Sequence, residues 1–546
     1  MKLNYKRTIF IGFAFFLICL FWQVYDSTIP LILTNKFGLS QTASGVIMAL
    51  DNVLALFMLP LFGTISDRCK SRHGRRTPFI VVGTVLAAVL FLSLSFADNA
   101  QMKHISQVSS IDSPAALQVL YEEQGGAELR TPEGERFVLR ELFDEAEFTS
   151  VTSQLQIVDG EVCTPDGESY ALRGEFTEQQ QVAVEKNSEG EIFTNPHYTD
   201  YVIPARQAYA WQKTAENPVT LVFFVLLLLC VLVSMAIFRS PAVALMPDVT
   251  VKPLRSKANA IINLMGTAGG IVVLALGMVF ATGAVKNAMM SYTAYFAVIS
   301  GIMLLALGLF LWQVREPRFV REMQEESRRY GIEEEEHDVA EKRGLSKAEK
   351  RSLIFLLASI VFWYMGYNAV TSKYSVYASN ILNKDYNLTL IIAQAAAVVA
   401  YLPVGFISSK IGRKKAILAG VVMLTAAFFG ACFLRQSSSI LLMDALFALA
   451  GVGWATINVN SFPMAVEMCS GSDVGKYTGI YYTASMAAQT ATPMLSGFMM
   501  DRMGMTVLFP YAAVFAGLSF VTMLFVFHGD NKPTAKKGLE ALNVED

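Results

Sequence analysis

Three ionisable residues stand inside long apolar stretches: Asp26 in LFWQVYDSTIP, Asp51 in IMALDNVLAL and Arg239 in MAIFRSPAVAL. Charge inside such a stretch is costly, so these groups normally face a wet cavity or an opposite charge. A carboxyl in a low-dielectric cavity favours its neutral form, and a neighbouring guanidinium favours the ionised one. An acid whose arginine partner is exchanged during a cycle therefore couples proton movement to solute movement. Arginine does not usefully release its own proton, so it serves as counter-ion or as donor to hydroxyls. The competing reading is a permanent ion pair that holds helices together.

Neutral polar and aromatic residues surround these charges. Trp22, Gln23 and Tyr25 precede Asp26, and Asn52 follows Asp51. Asn259 and Asn263 lie one helical turn apart, hence on one face. Later in the chain come Tyr364, Tyr367 and Asn368, then Gln394, then Asn458 and Asn460, and Tyr481, Ser485 and Gln489 at four-residue intervals. Flat rings and paired donors and acceptors suit a neutral polyhydroxy solute. A polar stripe such as 481–489 also serves as contact between membrane helices.

The elements that must position these residues are apolar runs. The chain has 546 residues, 53% of them hydrophobic, and a mean hydropathy of +0.42. That is too apolar for a soluble chain of this length, and spans of about 20 residues account for it. Runs lie at about 9–33, 42–65, 78–97, 218–246, 258–281, 292–313, 352–380, 388–408, 415–434, 439–466, 477–499 and 505–527, which makes twelve. The first is too long for a signal peptide and has no clear small-residue cleavage site. The predicted divisions are 1–97 (three spans), 98–217 (an insert), 218–313 (three spans), 314–351 (a charged linker), 352–527 (six spans) and 528–546 (a tail).

Charge distribution sets the orientation. From Asp98 to Glu216 there are 22 acids and 8 bases, a net of −14, which leaves +12 on the rest. Basic loops stay in the cytoplasm, so the acidic insert is expected outside and both termini inside. In the insert, TPDGES puts Asp-Gly between IVDGEVC and YALRGEF, which reads as a hairpin in a small β-rich unit. A closing helix is expected through PARQAYAWQKTAEN. The linker 314–351 reads as a solvated, amphipathic helical segment. The six cysteines show neither disulfide nor zinc spacing, and no metal site is expected.

The densest charge cluster is FGTISDRCKSRHGRRTPF (62–79), with Arg68, Lys70, Arg72, Arg75 and Arg76 around Asp67. It must be a loop, and its bases point it to the cytoplasm. It has an echo in GFISSKIGRKK (405–415), FWQVYD recurs loosely as FWYMGYN, and SPAVALMPD has a counterpart in SFPMAVEMC. Repeated halves fit two bundles with a site between them near mid-membrane.

The 62–79 pattern resembles the loop between the second and third helices of the major facilitator superfamily. Its longer form, SDRCKSRHGRRTPF, is similar to that of sucrose–proton and related glycoside–cation symporters, with Thr77 where those often carry Arg. The resemblance implies an all-α membrane protein of twelve transmembrane helices in two six-helix bundles, and no enzyme. It implies a gate built on Gly63, Asp67, Arg68, Gly74, Arg75 and Arg76, in which Asp67 accepts hydrogen bonds at a helix N-terminus across the bundle interface. Arg239 carries over through FRSPAVALMPD, and Asp26 and Asp51 follow from the use of acids in the N-terminal half.

Sodium-coupled relatives place two carboxylates one turn apart on the second span. Here Ala55 stands four positions after Asp51, which favours the proton as coupling ion. The expectation is a monomeric plasma-membrane symporter of an α-glucoside or disaccharide, of sucrose or maltose type, with no cofactor and no nucleic-acid partner. No G-x-x-x-x-G-K-[ST] loop suggests an ATP-driven pump. Efflux of another solute, and a sensor whose insert binds ligand, are the alternatives.

Overall fold

The structure is a computed structural model that describes residues 3–105, 203–251, 254–283, 290–330, 346–382, 384–435, 438–467 and 474–528, with seven short strands between 128 and 194. The helices are α1 Tyr5–Leu31, α2 Gln41–Asp67, α3 Thr77–His104, α4 Ile203–Glu216, α5 Val219–Val249, α6 Arg255–Val279, α7 Thr293–Gln313, α8 Glu316–Arg329, α9 Lys347–Asn380, α10 Tyr386–Ile411, α11 Arg413–Ala431, α12 Ile440–Glu467, α13 Val474–Met503 and α14 Leu508–Leu524. Among the described residues, ten helices are long and apolar enough to cross a membrane. α10 and α13 are the other two long helices of the C-terminal set.

Local chemistry explains the helix ends. Ser40 caps α2 by accepting from the Ala43 N–H, and Ser346 with Glu349 forms a reciprocal capping box at α9. Two equivalent loops turn on glycines with positive φ, Gly74 at 110° and Gly412 at 91°. At Gly74 a Cβ would also lie 2.2 Å from a Glu316 carboxylate oxygen, so no side chain fits.

Two helix ends differ from the apolar runs. α1 continues as a π turn, Ile32–Lys36, and α3 runs past Ala97 to His104. The reason is an ion pair: Lys36 Nζ lies 2.5 Å from Asp98 Oδ1, and both side chains are fully buried. Lys36 also donates to Met290 O, while Asp98 accepts from the Tyr292 N–H. Each charge lets the other stay inside, so neither ends its helix.

Among the described residues two apolar cores are large. One is built from residues between Ile11 and Val314, the other almost wholly from residues between Leu356 and Val526. In the first half α1 packs on α6 and α3 on α5; in the second, α11 and α10 pack on α12, and α9 on α14. The halves meet through α2 with α13, α6 with α10, and α1 with α9. The helices thus group into two sets that meet along α1, α2 and α6 of the first and α9, α13 and α10 of the second.

Between 98 and 217 the described elements are the end of α3, seven short strands and α4. The strands form antiparallel sheets of two, three and two strands, and Glu161–Cys163 pairs with Ser169–Ala171. The Asp-Gly turn expected at 166–167, most of the insert, 331–345 of the linker and the tail lie outside the described residues. The closing helix is α4. Gln101 of α3 donates to Thr214 Oγ1 and His104 bonds Lys213 O, which ties α4 to the end of α3.

Candidate functional site

The three charges named from sequence come together. α1 carries Trp22, Tyr25 and Asp26 on one face, α2 carries Asp51, and α5 carries Arg239. Asp26 lies within electrostatic reach of both Asp51 and Arg239. Asp51, Arg239 and Trp22 line one hollow together with Leu54, Ala55, Leu59, Leu232 and Ala236. The Arg239 guanidinium stands 5.2 Å from the Trp22 ring centroid, in cation–π range. Asn52 donates to Asp51 Oδ1 at 2.9 Å. Tyr25 is buried, and its hydroxyl donates to Met48 O at 3.2 Å. The hollow measures only about 10 Å³. That is below the roughly 300–1,000 Å³ of small-molecule pockets, so it is contracted in this conformation.

From the other half, Gln394 Nε2 donates to Gln23 Oε1 at 2.6 Å, beside Gly270 of α6. Tyr367 stacks on Trp454 with centroids 3.7 Å apart and planes 2° from parallel, and Tyr364 meets the same indole edge-on at 5.2 Å. Trp454 is not among the residues that the sequence singles out; its one local signal is a single indole in GVGWATINVN. The Asn368 amide nitrogen and the Trp22 indole nitrogen are buried with no hydrogen-bond partner among the described residues.

Other named residues stand apart from this chemistry or are less engaged. Asn263, Asn458 and Gln489 are half-buried. Tyr481 is buried and its hydroxyl bonds Ser461 Oγ at 2.9 Å, while Ser485 donates to Tyr482 O, so the upper part of that stripe is satisfied within its own half. The side chain of Asn259 lies outside the described residues.

The basic loop is knitted by residues that the sequence reading left out. Arg75 and Arg76 both bond Asp248, Arg75 Nη2 at 2.6 Å from Oδ1 and Arg76 Nε at 2.8 Å from Oδ2. Arg76 also pairs with Asp67, whose side chain is 55% exposed, and donates to Ser66 Oγ. Gly63 allows α2 to approach Ser240 of α5, and Arg68 is exposed. At the N-terminus of α3 stands the buried carboxylate of Glu316, which accepts from the N–H groups of Arg75, Arg76 and Thr77 and from the Thr77 hydroxyl. Among the described residues Asp67 bonds Arg76 of its own half. The cleft beside this loop, between Arg75, Asp248 and Glu316, is lined by groups that already satisfy one another.

Comparison with known proteins adds the family. The Major Facilitator Superfamily profile matches residues 11–109, 208–395 and 380–543. An MFS-type transporter, ppzB, of Metarhizium rileyi is 26% identical over 142 residues, which is 26% of this chain and 28% of that one. Sucrose transport protein SUC4 of Arabidopsis thaliana is 37% identical over 63 residues, 12% of each chain. The chain thus spans about a quarter or less of the length of these curated relatives. Among solved structures, the inward open conformation of the xylose transporter XylE from E. coli superposes with a TM-score of 0.53 at 15% identity, covering 99% of both chains.

Proposed function

Because this chain belongs to the Major Facilitator Superfamily, a family of multi-pass membrane transporters that need no cofactor and are not enzymes, we propose that it imports an α-glucoside or disaccharide, of sucrose or maltose type, together with a proton by alternating access. Its twelve long helices are twelve spans in two six-helix bundles. The basic loop, the linker and both termini lie on the cytoplasmic side of the plasma membrane, the β-rich insert lies outside, and the working unit is the monomer. The observation that carries the reading is the shared hollow of Asp51 and Arg239, with Asp26 in electrostatic reach and Trp22 on its wall.

In this mechanism the acids hold the proton and Arg239 is the counter-ion released to the solute. Sugar hydroxyls take over the bonds that Gln23 and Gln394 make with each other, and the Asn368 and Trp22 donors gain acceptors. The Trp454 face offers a platform for an apolar ring surface. The sucrose transport name of a partial relative and the sugar transport name of a structural neighbour support the solute class. Asp67 and its arginines act as the cytoplasmic gate when that side closes.

A second reading is export of a less polar solute, favoured by the five apolar residues that line the same hollow. Uptake of labelled sucrose and maltose into proteoliposomes decides between them. Accumulation that follows an imposed pH gradient and not a sodium gradient is expected. Accumulation that follows sodium, or no disaccharide movement at all, overturns the reading.

A further inference from the structure

Contacts between the two halves concentrate at the end of the molecule that carries the insert. There Asn35 and Asn380 exchange side-chain amide hydrogen bonds, and Thr282 bonds the Tyr386 hydroxyl. The most extensive junction centres on one residue, Gln41, the first of α2. Its N–H donates to Asp501 Oδ1 at 2.8 Å, and its carbonyl accepts from Lys373 Nζ at 2.7 Å. An anion and a cation of the C-terminal half thus hold one residue of the N-terminal half from both sides. Asp501 Oδ2 also accepts from the Thr42 N–H at 2.7 Å and from the Thr42 hydroxyl at 2.5 Å.

The backbone is shaped for this contact. A Cβ on Gly497 would lie 2.2 Å from Gln41 O, and one on Gly45 would lie 2.0 Å from Pro493 O, so α2 and α13 touch main chain to main chain. The first N–H groups of a helix have no partner inside it and sit at its positive end. In α2, Asp501 takes two of them and Ser40 Oγ takes that of Ala43. Lys373 is fully buried, with Asp501 as its nearby counter-charge. Separating α2 from α13 would strip Asp501 of three bonds and leave Lys373 without the Gln41 carbonyl.

We propose that Asp501 and Lys373 are the latch that holds the insert end of the transporter shut, and that the outward-facing state forms when they let go of Gln41 and Thr42. The segment around Asp501 reads GFMMDR (497–502), the same G-x-x-x-D-R spacing as GTISDR (63–68) at the basic-loop end. Among the described residues, Asp501 bonds across the halves and Asp67 bonds Arg76 of its own half. The proposal rests on the alternating-access reading above. Asp501 and Lys373 are positioning residues that set which side is open, and they do not touch the solute.

The test measures the distance across the insert end in the full chain, reconstituted in lipid nanodiscs without sugar. Spin labels are placed by Lys103→Cys and Met503→Cys, two exposed positions at that end, after the native cysteines are replaced by serine. Asp501→Asn and Lys373→Met should each raise the longer-distance population about tenfold, the effect of losing charge-assisted hydrogen bonds. Thr42→Ala, a milder change that removes one of the bonds, should move it in the same direction by less, and it carries the test if the charge variants fail to fold. Distance distributions unchanged from the parent overturn the latch. If the distances shift but no disaccharide is carried, the latch stands and the solute assignment falls. If disaccharide is carried and the distances do not shift, the latch falls alone.

Discussion

Gln394 of α10 and Gln23 of α1 share a 2.6 Å hydrogen bond well inside the helices, joining the two halves through a pair of neutral amides. Charged pairs at such a crossing would resist parting, whereas an amide pair is readily exchanged for the hydroxyls of a solute. Gln394→Ala removes one side of that exchange. It should raise KM for the carried sugar roughly tenfold, equivalent to ~1.4 kcal/mol, with little change in the maximum rate. Initial rates of uptake over a range of sugar concentrations check this.

The coupling acids are tested by separating exchange from accumulation. Asp51→Asn cannot release a proton, so sugar should still exchange across the membrane but no longer accumulate against its gradient when a pH gradient is imposed. Counterflow and net uptake in the same proteoliposomes make the comparison. Arg239→Lys should impair both, because an ammonium lacks the planar fork and stacks less well on Trp22.

Trp454 presents a flat surface already stacked on Tyr367. Trp454→Ala should raise KM about tenfold by removing that surface, and Trp454→Phe should recover part of the loss. Binding of labelled sugar to the purified protein provides an independent check.

The Lys36–Asp98 pair sits outside the proposed solute path and serves stability. Lys36→Met leaves a buried carboxylate without its partner and should cost about 3–5 kcal/mol. Adding Asp98→Leu should restore most of that loss, since an apolar pair of similar volume removes the unpaired charge. Denaturant unfolding of the purified protein in detergent measures both. Failure of the double variant to recover would assign the pair a further role.

What could be read from the sequence follows the range of the interactions. Apolar runs declare membrane helices locally, so most helix positions agree with the runs to within a few residues. Asp26, Asp51 and Arg239 announced themselves because each stands alone in hydrocarbon-like sequence. Lys36 and Asp98 escaped notice because each falls at the edge of a run, and only folding brings them together. Glu316 looked like one more charge in a mixed linker, yet its carboxylate is the hub of a loop some 240 positions earlier. Lys373, in VTSKYSVYASN, was masked by its polar neighbours. Trp454 was passed over because a lone ring in a helix does not reveal what it will stack against.

Glu316 also fixes where the polypeptide could be divided. Because it opens α8 and seals the Gly74–Thr77 turn, and because Arg7 bonds both Glu322 and Phe319 O on the same helix, α8 is in practice an appendage of the first bundle. A gene broken after Arg329 would give one fragment with its basic turn intact and a second that starts cleanly before α9. A break placed ahead of Glu316 would instead leave the first fragment with three unsealed amides and Arg7 without its partners on α8.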